Sequence, residues 1–298
     1  MKNVLITGGS GFIGRALCRK LSEAGYAVTV LSRTPDRIPG LCGQSVSGVA
    51  SLDELQSDKK PHIIINLAGS PVADRRWSDA RKEMLVSSRV GTTEKLISYI
   101  EKVKVKPSRL ISASAVGYYG DGGDNIIDEE SAVHDEFTHQ LCTRWEEEAM
   151  KAKGAGVSVA ILRIGLVIGR GGGFLSKMLL PFKLGLGGRI GSGAQWMPWI
   201  HIDDIVGLIM FLIEREELEG PFNAVSPEPV TNSDFTKTLA DTLKRPAIFP
   251  VPSFVLKLAL GEISRLILTG QRAVPKRAIK EGYSFAFTKL ADALREVV

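Results

Sequence analysis

The chain has 298 residues, 44% hydrophobic and 24% charged, a balance that excludes wholesale disorder and suits about two globular domains. Lys plus Arg less Asp plus Glu is 38 − 33 = +5. The acids are interspersed and no Lys/Arg-rich block occurs, so no nucleic-acid partner is expected; the surplus reads as a solvated basic surface, with a secondary preference for anionic small molecules. Cys18, Cys42 and Cys142 are too few and too scattered for a disulfide framework, which points to a reducing, cytoplasmic compartment. His62, His134, His139 and His201 share no metal-ligand spacing with them, and no metal site is expected. No run approaches the ~18 apolar residues of a membrane span. The best, 205–213, lies between Asp204 and Glu214 and reads as a buried helix. A cleaved leader is not expected, because removing about 15–30 residues would remove the glycine motif that starts at Gly8.

In chain order, the spacing predicts a strand at 4–7, a helix at 12–24, a strand at 26–31 and a weaker strand at 44–49. A strand at 62–67, a long helix at 77–102, a strand at 109–113, a helix at 138–153 and a strand at 157–163 follow. Continuous apolar strands alternating with helices give an α/β, doubly wound parallel sheet covered on both faces. Glycine and then proline become frequent from Gly169 onward, and shorter helices are expected at 203–217, 232–244, 253–268 and 288–297. Thr231-Asn232-Ser233-Asp234 supplies side-chain oxygens to start the second of these. The expected organisation is a first domain at 1–170 and a smaller lobe at 171–298, with segments near 200–225 completing the sheet.

Thr7-Gly8-Gly9-Ser10-Gly11-Phe12-Ile13-Gly14 lies between an apolar strand and an amphipathic helix, the context that makes G-x-x-G-x-x-G a dinucleotide-binding signal. Gly8 permits the tight turn, Gly11 lets backbone approach a pyrophosphate, and Gly14 lets the helix pack on the sheet. Backbone N–H groups of Ser10, Gly11, Phe12 and Ile13, with the helix dipole, would then face the phosphates. At the end of the second strand stands Leu31-Ser32-Arg33, with no acid to bond a ribose 2′-hydroxyl. A guanidinium pairs well with a 2′-phosphate, so Arg33 predicts NADP(H) over NAD.

These residues resemble a known family. Gly8/Gly11/Gly14, Asn66-Leu67-Ala68-Gly69, Ser112-Ala113-Ser114-Ala115 and His201-Ile202-Asp203-Asp204 look like an extended short-chain dehydrogenase/reductase. Arg144-Trp145-Glu146, Gly169-Arg170-Gly171-Gly172-Gly173, the 191–201 run and Gly270-Gln271-Arg272-Ala273-Val274-Pro275 are similar to its atypical "epimerase family" subgroup over essentially the whole chain. The resemblance implies a Rossmann domain with a smaller, mostly helical C-terminal substrate lobe. It also implies cofactor contacts at Gly9, Ser32, Leu67, Ala68, Gly69 and Val167, beside those of the glycine motif.

In active short-chain reductases a Lys four residues after a Tyr lowers the phenol pKa for proton transfer. By the resemblance, Thr138 and Cys142 stand in those two places, Arg89 stands where the parent family has Asn, and Leu166 replaces another Asn. Ser114 alone of the familiar set remains. Tyr118 and Tyr119 are the candidate proton donors, each either facing the nicotinamide or packed in the wall. Arg89 either contacts the cofactor or an acidic substrate, or forms a helix-surface salt bridge. Cys142 is expected to be an inert, small hydrophobe. The 185–193 stretch, with Lys177, Lys183 and Arg189, either roofs a site for an anionic substrate or is a plain solvated loop. Trp196 and Trp199 are expected to pack the lobe on the sheet, and Asp203 to cap the following helix. The expected function is an NADP(H)-dependent oxidoreductase or epimerase-like enzyme acting on a small molecule; the rival is a non-catalytic NADPH sensor. The oligomeric state is left open: the resemblance implies a homodimer through the 77–102 and 138–153 helices as one assembly, with Arg89 and the Glu146–Glu148 cluster altering those faces.

Overall fold

A strand that is apolar at consecutive positions must bury both faces. The computed structural model, which describes residues 2–55 and 60–298, shows where those faces go. Seven strands form one parallel sheet: β1 (Asn3–Thr7), β2 (Ala27–Leu31), β3 (Ser47–Val49), β4 (Ile63–Asn66), β5 (Arg109–Ala115), β6 (Ser158–Ile164) and β7 (Gly220–Ala224). Their order is β7-β6-β5-β4-β1-β2-β3, the Rossmann order with one strand added. Val4, Ile6, Ile63 and Ile65 face one core with Leu17 and Leu21 of the Phe12–Glu23 helix and Ile205 and Leu212 of the Ile202–Glu214 helix. Leu5 and Ile64, between them in sequence, face the opposite core with Leu96 and Ile100. A third core, around Trp199, Phe235, Leu239 and Leu294, holds the later helices together.

The strand order reverses between β1 and β4, both of which are hydrogen-bonded to each other at Thr7 and Asn66. Ligands of open parallel sheets bind outside the carboxyl ends of the strands at such a reversal. The loops that begin at Gly8 and Leu67 leave from this point. Beneath them Thr7 Oγ1 donates to Asn66 Oδ1 (2.7 Å), and Asn66 Nδ2 donates to Thr93 Oγ1 and Ser112 Oγ (2.8 and 3.1 Å). The strand ends are thereby fixed before any ligand arrives.

Several expected elements differ in form. The 77–102 helix is two α-helices, Asp79–Val86 and Thr92–Lys102, joined by a π turn at Ser87–Gly91. The 253–268 helix is broken at Gly261, whose φ of 61° ends Ser253–Leu260 before Ser264–Leu268 resumes. The helix expected to be capped by Asp203 begins one residue earlier, at Ile202. Its cap is His201, whose Nδ1 accepts from the Asp203 N–H (3.3 Å). Thr231 and Asp234 form a reciprocal capping box at Asn232–Leu243, as the local sequence predicts. A helix at Leu175–Lys183, with Pro181 inside it, has no counterpart in the sequence reading. Among the described residues no helix is long and apolar enough to cross a membrane, and no group of three or more His, Cys, Asp or Glu could hold a metal ion.

Arg109 opens β5 fully buried. Its guanidinium donates to Glu216 O (3.0 Å), Leu218 O (2.7 Å) and Ser158 Oγ (2.6 Å), fastening β5 and β6 to the turn that leads into β7. Arg109→Leu strands those carbonyls and is expected to cost about 3 kcal/mol. A lower urea midpoint at unchanged slope checks this; an unchanged midpoint contradicts it.

Candidate active site

The glycine motif is held by close approach. Gly8 has φ of 72°, and a β-carbon there would lie 2.5 Å from Leu67 O, so the first loop nests against the chain leaving β4. A β-carbon on Gly14 would lie 2.6 Å from Gly9 Cα, so the helix starts directly against the turn. Gly11 is the N-cap of Phe12–Glu23, with no side-chain cap and no acid in the first turn. Arg15 N donates to Gly11 O, but the N–H groups of Phe12, Ile13 and Gly14 have no protein partner among the described residues. Ser78, His201 and Thr231 cap three other helices, while several more, Phe137–Met150 among them, also start without a side-chain cap. What sets this start apart is its place at the glycine turn where the sheet order reverses: N–H groups without protein acceptors and the positive end of the dipole suit an anion there.

The surroundings complete a groove. Gly9 rests on Val30, and its carbonyl accepts the Cys42 thiol (3.4 Å). Ser10 and Gly11 are exposed, and the Phe12 ring is covered by the 169–173 segment, Gly172 lying closest. Val167 lies in the short strand Leu166–Ile168, which pairs with Trp199–His201. At the end of β2, Ser32 Oγ accepts from Thr34 N (3.1 Å), while Arg33 is exposed with no partner among the described residues. Leu67 and Ala68 face the glycine turn from β4, while Gly69 lies against Arg89.

Arg89 sits in the middle of the π turn and is 9% exposed. It makes no ion pair among the described residues, so the surface salt bridge is not its state. Instead the guanidinium donates to Ser70 O (2.9 Å) and Leu85 O (3.3 Å), lies 5.3 Å from the Trp145 ring and packs on Gly69. Burial pushes its pKa down from the ordinary arginine value.

Ser114 lies opposite Arg163 in the β5–β6 register. Its hydroxyl donates to Glu146 Oε1 (2.6 Å), from the Phe137–Met150 helix. Arg163 grips the same carboxylate with two hydrogen bonds, Nε to Oε1 at 3.0 Å and Nη2 to Oε2 at 2.9 Å. Its Nη1 donates to Tyr119 Oη (2.9 Å), which donates to Asn223 Oδ1 (2.7 Å). Glu129 closes the network by accepting from Asn223 N (2.9 Å) and Arg277 N. Tyr119 is therefore a fully buried wall residue, its pKa pushed up to about 12 chiefly by burial. Tyr118 differs. It is partly exposed, its ring stacks on Arg163 (3.4 Å, centroid to Cζ), and its hydroxyl has no hydrogen-bond partner among the described residues.

Thr138 packs on Gly117, and Cys142, one turn further, is buried beside Ser114. Burial pushes the Cys142 thiol up to about 11, so it stays protonated and unreactive near neutral pH. Of the cations around the 185–193 stretch, Lys177 is paired with Asp74 (3.0 Å), and Arg189 donates to Ser192 O (3.2 Å). Trp199 is buried with Nε1 on Glu228 O (3.1 Å), and Trp196 bonds Asp124 (2.9 Å) under the Arg272 guanidinium. A groove of about 540 Å³ on the Asn232–Leu243 helix is lined by Arg189 but by none of the cofactor or proton-transfer candidates. A smaller cavity, about 170 Å³, is lined by Thr138.

Sequence reasoning missed Glu146, Asn223 and Glu129 as site residues. One signal was present: Arg163 is a cation in an apolar strand, and a buried cation calls for a carboxylate. Glu146→Gln leaves Arg163 with no matching charge and is expected to cost about 3–5 kcal/mol, read from urea unfolding. A loss below about 1 kcal/mol, the scale of an exposed pair, contradicts the network.

Comparison with known proteins agrees with this geometry. A model of the NAD dependent epimerase/dehydratase family matches residues 4–224, and one of a domain of unknown function (DUF1731) matches residues 251–297. Epimerase family protein YfhF of Bacillus subtilis (strain 168) is 39% identical over 303 residues, covering 99% of this chain and 98% of the relative. The crystal structure of human epimerase family protein SDR39U1 (isoform 2) with NADPH superposes with a TM-score of 0.89 at 36% identity, covering 99% and 98% of the two chains. A Bacillus cereus UDP-glucuronic acid 4-epimerase in complex with UDP-glucuronic acid and NAD shares the fold, at TM-score 0.81 and 18% identity over 99% and 97% of the chains. On the match over 4–224 and the identity over almost its full length, this chain belongs to the NAD dependent epimerase/dehydratase family.

Proposed function

We propose that the chain is an NADP(H)-dependent oxidoreductase or epimerase-like enzyme acting on a small molecule. The observation that carries this reading is the uncapped start of the Phe12–Glu23 helix, pressed against Gly8 and Gly9 where the sheet order reverses. A pyrophosphate fits it, since it supplies the acceptors that Phe12, Ile13 and Gly14 lack. Arg33, exposed at the end of β2, would hold the 2′-phosphate. Leu67, Ala68, Gly69 and Val167 would line the ribose and nicotinamide, with Arg89 buttressing the loop under Gly69. When bound, the cofactor supplies hydride chemistry.

The remaining roles follow from hydrogen-bond direction. Ser114 spends its proton on Glu146, so its oxygen is left to accept from a substrate hydroxyl. Tyr118, with an unpartnered phenol, is the group that can give a proton to a carbonyl oxygen or take one from an alcohol. Tyr119 keeps the wall. A second reading, an NADPH-binding sensor without turnover, draws support from Cys142 at about 11 and Tyr119 at about 12, neither of which ionises near neutral pH.

Titration with both dinucleotides tests the cofactor assignment. Wild type is expected to bind NADPH at least about tenfold more tightly than NADH, and Arg33→Ala to erase most of that difference, about 1.4 kcal/mol. Equal affinities in the wild type contradict it. Across a carbonyl panel, Tyr118→Phe is expected to slow NADPH oxidation about 100-fold. An unchanged rate removes Tyr118 from the chemistry, and no turnover with intact NADPH binding favours the sensor.

A further inference from the structure

The family fold says little about what is bound beside the cofactor, and the cavity next to Thr138 is more specific. It forms where three distant segments meet: Trp77 ahead of the Asp79–Val86 helix, the start of the Phe137–Met150 helix, and the 262–266 segment. Trp77 and Phe137 make an edge-to-face pair with centroids 4.9 Å apart, and Leu266 adds an apolar edge. Thr138 brings a hydroxyl. Thr138 also packs on Gly117, the chain neighbour of Tyr118, and stands one helical turn from Cys142 beside Ser114, so one helix start connects the cavity with the proposed chemical centre.

We infer that this cavity is the substrate subsite and that it takes an uncharged molecule built on a single flat ring, not a nucleoside diphosphate sugar. The inference rests on the reading that Ser114 and Tyr118 mark an enzyme site. Size is the first argument. A volume of about 170 Å³ is close to that of apolar cavities of about 150 Å³ that admit benzene, and well below the roughly 300–1,000 Å³ of pockets for larger ligands. The aromatic surface left over by the Trp77–Phe137 contact lines the cavity and suits a third ring.

Charge is the second argument, and it points the same way. Asp135, Glu136 and Glu262 line the cavity against one cation, Arg265. That cation is engaged by Glu136 (3.2 Å), and Lys82, which lies 5.1 Å from the Phe137 centroid, is engaged by Glu262 (2.7 Å). The remaining acceptor sites are taken by neutral donors: Asp135 accepts from Gln140 Nε2 (2.9 Å), and the second oxygen of Glu136 accepts from Asp121 N (2.7 Å). A diphosphate entering here meets net negative charge and no free cation among the described lining residues. An uncharged ring with one oxygen meets apolar surface and the Thr138 hydroxyl. The preference for an anionic substrate, drawn from the net charge of +5, therefore finds no support at this cavity.

Titration of the full chain, with and without saturating NADPH, by benzyl alcohol and by UDP-glucose tests the inference. Benzyl alcohol is expected to bind, and UDP-glucose to produce no signal. Leu266→Trp, which fills the mouth from a partly exposed position, and Trp77→Leu, which removes the wall, are each expected to weaken benzyl alcohol at least about tenfold while leaving NADPH affinity unchanged. Two results overturn it: UDP-glucose binding more tightly than benzyl alcohol, or benzyl alcohol affinity unmoved by both variants. If NADPH fails to bind the wild type, the enzyme reading falls. Loss of benzyl alcohol binding in Leu266→Trp still supports the ring subsite in that case.

Discussion

Three backbone N–H groups at the start of the Phe12–Glu23 helix point away from any protein acceptor, and much of the amino-terminal half is arranged around that fact. The aligned peptides of a helix place about half a positive charge at its first turn. Most helices blunt that charge with a Ser, Thr, Asp or Asn cap. Here the cap position is Gly11, the preceding turn is folded tightly onto Leu67, and the helix abuts Gly9. Each of these contacts lies at the end of β1 or β4, where the sheet changes direction. The buried Thr7–Asn66–Thr93–Ser112 hydrogen bonds hold those two strand ends in register. The anion-seeking groups are therefore presented by rigid elements, so little ordering remains to be done when a ligand binds.

The second organising feature is the carboxylate of Glu146. It receives Ser114 and both arms of Arg163, and through Arg163 it reaches Tyr119, Asn223 and the segment near Val274. Burying an ion pair is expensive unless its remaining hydrogen-bonding capacity is met. That condition holds here, because Arg163 also donates to Glu129 O. The network ties β5, β6, β7 and the Phe137–Met150 helix to the carboxy-terminal part of the chain. It also constrains neighbouring groups: Ser114 spends its proton on Glu146, Tyr119 is locked in the wall, and the Tyr118 ring lies over Arg163 with no hydrogen-bond partner for its hydroxyl among the described residues.

What could be read from the sequence was what is local. The first β-α-β unit is specified by glycine spacing and by apolar runs within 31 residues, so its fold was legible. The expected N–H set at 10–13 was not the one found, because Gly11 N donates to Gly8 O and the groups without a protein acceptor in the first turn are those of Phe12, Ile13 and Gly14. The capping box at Thr231 and Asp234 is local too. The π turn at Arg89 was hidden, because its 77–102 window carries an unbroken helical pattern and the extra residue is absorbed by packing of the guanidinium against Gly69 and Trp145. Pro181 disguised the Leu175–Lys183 helix, and His201 took a capping role usually given to an acid or hydroxyl. Glu146 lies 32 residues from Ser114 and meets it only through the crossover that returns the chain to the sheet. Its partner Arg163 was visible as an anomaly; the pairing was not.

The account turns on whether the free N–H groups at the first helix are where a dinucleotide phosphate lands. Backbone amide chemical shifts of the ¹⁵N-labelled chain, followed as NADPH is added to saturation, address this directly. The largest changes are predicted at Phe12, Ile13 and Gly14, with a second group at Ser32 and Arg33. Saturation with those amides unmoved, or changes confined to the carboxy-terminal lobe, would contradict it.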